Sequence, residues 1–305
     1  MALVQYSESE SESETESPQR LVKRPRQTSN QPSSLPPLPA AFHDLYASST
    51  RVSVRDDPSL HGGRKRVIPH VEGNWPTHLY LEWYPSKAEL SILRDVIDQI
   101  NDRLDDSTTQ LHSLLHSDLG AQLPLHISLS RPVVLRTEQR QPFLEDFQSA
   151  LRESSIPAFD VTTQSLDCVS NYEKTRWFYV LRADKPEADS LNRLLRLSNR
   201  SLARFGQPPL YESSQDVAAV LKSKSPAQPQ GSRGTGQTGS DYSHCFHVSL
   251  AWSLTGPSSE ERERIVSIDL QKVRGLSIRF DCVKVKIGNN VSSIPLLEGT
   301  RGLST

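Results

Sequence analysis

Hydrophobic and polar positions change period several times along the chain, and each change marks a predicted element. Residues 77–83 (THLYLEW) alternate, the period of a half-buried strand. Ser86 then opens a helix, with Glu89 three residues on to complete a capping box. Leu90, Ile92, Leu93, Val96, Ile97, Ile100 and Leu104 follow at helical spacing. Residues 123–130 and 133–135 read as strands, and 142–151 as a helix with Phe143, Leu144, Phe147 and Leu151 on its apolar stripe. Residues 159–169 and 177–181 are strand-like, and 188–205 form an amphipathic helix through Leu191, Leu194, Leu195 and Leu202. Strands over 246–254 and 276–287, with a short piece near Ile294, close the series. Strand, helix and strands, followed by helix and strands again, predict an α+β fold of two similar halves.

Two stretches fall outside this pattern. Residues 1–68 are expected to be a disordered tail: the run SESESETES from Ser7 alternates serine with acid and has almost nothing to bury. Short basic clusters follow it, Lys23-Arg24-Pro25-Arg26 and Arg64-Lys65-Arg66, which suit nuclear import or contact with nucleic acid. Residues 213–243 collapse into KSKSPAQPQGSRGTGQTGS, a flexible insertion within a domain spanning 69–305, because strand patterning resumes beyond it. The net charge of -1 is uninformative, since the charges are segregated. No apolar run approaches the roughly 20 residues of a membrane-spanning helix, and a monomer without a membrane partner is expected. Cys168, Cys245 and Cys282 form no CxxC and read as reduced thiols.

The candidate chemistry lies in the two most alike segments of the chain. Leu125-His126-Ile127-Ser128-Leu129 and Phe246-His247-Val248-Ser249-Leu250 share one frame, apolar-His-apolar-Ser-Leu, about 120 residues apart. On a strand, His and Ser fall on one face and the apolar neighbours on the other. With nine histidines and frequent serine, one His-x-Ser is expected by accident, whereas two copies in the same frame, one per half, are not. Breaking a phosphodiester through a neighbouring hydroxyl needs one group to accept a proton and another to donate one, and imidazole does either near neutral pH. Each serine hydroxyl can donate to a non-bridging phosphate oxygen. RNA supplies the nucleophile, its 2′-OH, so this chemistry calls for no cofactor and no metal, and its first product is a 2′,3′-cyclic phosphate. A zinc site at His244, Cys245 and His247 is disfavoured, because alternation turns His244 away from the other two.

These paired tetrads resemble the two-histidine (2H) phosphoesterase superfamily. Further segments narrow the likeness: Gly73-Asn74-Trp75 with Thr77-His78, Val133-Val134-Leu135-Arg136, Asn171 with Glu173-Lys174-Thr175-Arg176, and 246–252. Together they resemble the Usb1/Mpn1 family of U6 snRNA phosphodiesterases over about residues 71–297. The resemblance implies a bilobal fold, with two pseudo-symmetric lobes whose antiparallel sheets line a central groove and whose helices lie outside. It implies a nuclear 3′→5′ exonuclease whose RNA partner is the U6 3′ end. His126 and His247 would be acid and base in either assignment, and Ser128 and Ser249 the phosphate-binding hydroxyls. A base-stacking tyrosine is expected shortly before the second tetrad; Tyr211 fits by its preceding residues and is preferred, and Tyr242 fits by distance. Lys174 and Arg176 are either RNA-backbone contacts or one side of a charge pair. The alternatives are a cyclic-phosphate hydrolase of the same superfamily and a non-catalytic RNA 3′-end binding module.

Overall fold

The computed structural model describes residues 71–104, 109–171, 173–213 and 240–298, all within one compact unit. The tail at 1–68, and positions 214–239 of the insertion, lie outside the described residues. Strand β1 (Asn74–Trp83) is the spine of a 5-stranded antiparallel sheet. One edge pairs with β10 (Cys282–Ile287), itself paired with β11 (Asn290–Pro295). The other edge takes β3 (Leu125–Ser128) and β4 (Val133–Arg136) end to end. A 4-stranded antiparallel sheet runs β2 (His112–Ser113), β8 (His247–Ser253), β7 (Trp177–Ala183), β6 (Thr163–Ser170). A separate antiparallel pair joins β5 (Phe159–Val161) to β9 (Ile278–Phe280).

Alternation sets what each strand buries. Leu79, Leu81, Leu125 and Ile127 turn to the core from the first sheet, and Leu181, Val248 and Leu250 from the second. Each such aliphatic side chain contributes about 1.5–3 kcal/mol. Helix α1 (Lys87–Asn101) starts at the expected capping box: Ser86 Oγ accepts from the Glu89 N–H, and Glu89 Oε2 accepts from the Ser86 N–H at 2.6 Å. Helices α2 (Arg140–Ser154) and α3 (Ser190–Arg204) pack on each other. Two short helices, α4 (Ser259–Val266) and α5 (Gln271–Arg274), precede β9.

Two single strands of the sequence reading are each two strands. Residues 276–287 divide at Asp281, whose carbonyl accepts from the Leu296 N–H, and 159–169 divide at Thr162, whose carbonyl accepts from Asp184. In both cases the chain turns a corner from the β5–β9 pair into a larger sheet while the apolar alternation continues, so periodicity alone does not mark the break. In the β10–β11 hairpin, Gly288 has φ +61, and an added Cβ would meet the Trp75 ring at 2.6 Å. Gly288→Ala should therefore cost about 2 kcal/mol through left-handed backbone strain and the clash. Denaturant unfolding of the variant should show a lower midpoint; an unchanged midpoint would mean that Trp75 yields freely.

Candidate active site

The first His-x-Ser pair is placed by register. His126 stands opposite Glu82, and Ser128 opposite Tyr80, while across the other edge of β1 His78 faces Lys286 and Tyr80 faces Lys284. Opposed residues share a face, so one face of the sheet carries His78, Tyr80, Glu82, His126, Ser128, Lys284 and Lys286. Lys284 is committed within it, to Glu82 at 3.2 Å and Ser293 Oγ at 2.8 Å. The second pair sits on β8, with Val248 and Leu250 turned to the core and His247 and Ser249 to the opposite side. A register shift between Tyr179 and Val180 leaves Leu250 without an opposite residue, and Arg182 stands opposite His247.

Strands β3 and β8 approach within 8 Å, so the two sheets bring both pairs to one place. Burial, and then the neighbouring His247, push the His126 pKa down to about 4. The residue is nevertheless solvent-exposed, so the proton-binding ring is accessible despite the packing of its neighbours around it. The His247 pKa is also lowered, chiefly by burial and further by Arg182, against an opposing hydrogen bond to Cys245. That hydrogen bond is informative: Nδ1 lies 2.7 Å from the Cys245 carbonyl, which can only accept. The neutral ring therefore carries its proton on Nδ1 and leaves an Nε2 lone pair free. Arg182 is fixed by Asp167, through Nη2 at 2.6 Å, and also donates to the His244 carbonyl. Burial raises the Asp167 pKa, but hydrogen bonds from Arg262 and Arg182 outweigh it and hold the carboxyl below its usual range.

A third histidine, which sequence reasoning did not assign, belongs to this face. His78 Nε2 lies 3.2 Å from Ser128 Oγ, and its ring stands edge-on to His126 at 5.4 Å and stacks on Tyr80 at 5.1 Å. Burial, then His126 and Lys286, push its pKa to about 3, so it is neutral at pH 7. The available signal was the even-numbered positions of β1, which must share a side with whatever faces Tyr80.

The two tyrosines are neighbours, with rings 6.4 Å apart and 24° from parallel. The Tyr211 hydroxyl donates to the same Cys245 carbonyl that holds His247, at 3.1 Å, and its ring is edge-on to Phe246. Two buried asparagines on α3 place them. Asn199 bonds both backbone groups of Leu210, and Asn192 accepts from the Tyr242 N–H while donating to Asp241 and Ser243. The chain on either side of the insertion is thus pinned to one helix.

Lys174 and Arg176 are elsewhere, at the end of β7 away from Arg182. There Asn171 Oδ1 accepts from the N–H groups of Thr175 and Arg176, and the Arg176 guanidinium lies 5.7 Å from the Phe178 ring. His244 and Cys245 lie in a single 3₁₀ turn, and among the described residues no group of three or more potential ligands converges on a metal position.

A family described as "HVSL: Uncharacterised conserved protein" matches residues 36–295; its four letters are this chain's His247-Val248-Ser249-Leu250. The U6 snRNA phosphodiesterase 1 of Neurospora crassa is 33% identical, covering 89% of this chain and 77% of that protein. That of Homo sapiens is 28% identical, covering 85% of this chain and 83% of that protein. Among solved structures, Kluyveromyces marxianus Usb1 superposes with a TM-score of 0.52 at 18% identity, covering 72% of this chain and 98% of that one. The chain belongs to the HVSL family, the Usb1 family of U6 snRNA phosphodiesterases.

Proposed function

We propose that the protein is a 3′→5′ RNA exonuclease that trims the oligouridine end of U6 small nuclear RNA by metal-independent transesterification. The observation that supports this most is the convergence of two His-Ser pairs, from segments about 120 residues apart, on the facing strands β3 and β8. The relatives' name, U6 snRNA phosphodiesterase 1, supplies the substrate. In this reading the two larger sheets belong to the two lobes of a 2H phosphoesterase, with the hollow between β3 and β8 as the central groove.

The scissile phosphate sits between the imidazoles. His247 Nε2, left free by the Nδ1 hydrogen bond, takes the proton of the penultimate 2′-OH. That oxygen attacks phosphorus as the bond to the terminal 5′-oxygen breaks, and protonated His126 delivers its proton to the leaving oxygen. The products are a shortened RNA ending in a 2′,3′-cyclic phosphate, which further turnover can open, and a free nucleoside. Ser128 and Ser249 donate to the non-bridging oxygens. The Tyr211–Tyr242 pair stacks the terminal base, with Tyr211 as the ring anchored by its hydroxyl. No helix among the described residues is long and apolar enough to cross a membrane; a monomer acting in the nucleus fits this substrate.

His78 holds the Ser128 hydroxyl in position. His78→Ala should slow single-turnover trimming about tenfold, the cost of one misplaced phosphate donor. His78→Gln, which can still bond Ser128, should recover most of that rate, and equal loss in both variants would remove the positioning role. The decisive assay mixes the protein with 3′-hydroxyl oligouridine in excess chelator and weighs the products. Shortened RNA with a cyclic end is expected; binding without shortening would end the proposal.

A further inference from the structure

The face that carries the histidines continues beyond them. Asn74 and Pro76 lie on the same side of β1 as His78, and β4 sets Arg136 opposite Asn74 and Val134 opposite Pro76. Asn74, Val134 and Arg136, with Gln139, Phe205 and Gln207 across from them, line a cavity of about 450 Å³. Two of the segments that carried the family resemblance, Gly73-Asn74-Trp75 and Val133–Arg136, meet here, and the reaction uses neither.

The lining has the chemistry of a nucleotide site. Arg136 is exposed, and among the described residues no carboxylate pairs with it. Its basic neighbours are occupied: the Arg140 guanidinium lies 3.8 Å from the Trp75 ring centroid, and Arg204 is paired with Asp146. The Asn74 amide likewise has no hydrogen-bond partner among the described residues. Phe205 is half-buried and held edge-on by Phe143 at 5.4 Å, which fixes its ring. The cavity is not built for strand addition, because Gln139 and Gln207 already accept from the Arg136 and Val134 N–H groups at 2.9 and 3.3 Å. Aromatic ring plus unpaired guanidinium is the pairing that binds single-stranded nucleic acid without reading its sequence.

Position identifies which part of the RNA belongs there. Ser128 stands opposite Tyr80 and Arg136 opposite Asn74, six residues along β1, or roughly 20 Å at about 3.3 Å per residue. An enzyme that removes one terminal nucleotide has a single residue on the leaving side of the scissile phosphate, so anything bound that far away is upstream strand. About six stacked nucleotides at 3.4 Å each would span the distance, and fewer in an extended strand. We infer that this cavity is a second RNA subsite, in which Arg136 contacts an upstream phosphate and Phe205 stacks an upstream base. The inference rests on the trimming reading for the polarity of the strand.

The test compares a uridine dinucleotide with a ten-residue oligouridine, using wild type, Arg136→Gln and Phe205→Leu. Binding is measured by competition against a fluorescent oligouridine in a His126→Ala background, where the RNA is not consumed, and trimming with the active protein. Arg136→Gln should weaken ten-residue binding about 5–10-fold and reduce the slope of log K against log salt by about 0.7, one phosphate contact to a single strand. KM for the ten-residue RNA should rise with kcat unchanged, and dinucleotide values should stay within about twofold. Phe205→Leu should show the same length dependence with no change in salt slope. Equal losses at both lengths, or none at either, overturn the subsite. Length-dependent loss of binding in a protein that never shortens RNA would instead sink the trimming reading and leave the subsite standing.

Discussion

Alanine in place of His126 or His247 is expected to cut the rate of 3′-terminal uridine removal by about 10³-fold or more, within the range of a lost general acid or base. The double variant should fall little further, because each proton transfer is useless without the other. Both variants should keep their affinity for ten-residue RNA to within a few-fold and their far-UV circular dichroism, since neither ring belongs to the hydrophobic core. Residual activity within tenfold of wild type in either variant would remove that histidine from the chemistry. In the proposed mechanism the reactive microstate holds a proton on His126 and none on His247. Burial and the facing imidazole hold His126 to about 4 in the free protein, and a general acid is lost as pH rises through its pKa. The His247 pKa is lowered too, so the alkaline limb of kcat/KM should lie on the acid side of an ordinary imidazole, near 6.5. Bound phosphate adds negative charge beside His126 and raises its proton affinity, so the limb of kcat should sit at higher pH than that of kcat/KM. Coincident limbs would mean that phosphate does not lie against His126.

The His-Ser pairs were legible because a strand has only two faces, and the apolar residues of each segment claim one of them. His78 was not, since its membership depends on a pairing 50 residues long, His78 to Ser128, that no local pattern encodes. The same limit hid the corners at Thr162 and Asp281, where alternation runs on while the pairing partner changes. Helix α4 announces itself at Ser258 and Glu261, a capping box present in the structure. Only Glu261 and Ile265 of that helix are buried, however, so there was no apolar stripe to follow the cap. In α3 the leucine stripe fixed the helix but not its polar face. Asn192 and Asn199 are buried, because the segments bearing Tyr211 and Tyr242 dock over them. Polarity alone would have sent those side chains to solvent, and the docking that overrides it comes from the tertiary fold.

Replacing the penultimate ribose of the substrate by 2′-deoxyribose is expected to leave the terminal nucleotide in place, with a rate at least about 10³-fold below that of the all-ribose RNA. The reason is the source of the nucleophile. The vicinal hydroxyl is held within bonding reach of phosphorus by the sugar itself, and His247 Nε2 has only to remove its proton. A water in the same hollow would have to be positioned by the protein. In the proposed mechanism Ser128 and Ser249 donate to the phosphate oxygens and are not anchors for an in-line water. The modified RNA should still bind and compete with unmodified substrate, because the base stacking proposed for Tyr211 and Tyr242 does not involve the missing hydroxyl, and mass analysis should return it intact. Cleavage at a comparable rate could not pass through a cyclic ester, since the 2′-oxygen is absent, and would yield a shortened product ending in a 3′-phosphate monoester. That result would make His247 the base for water rather than for RNA, and the first step a hydrolysis.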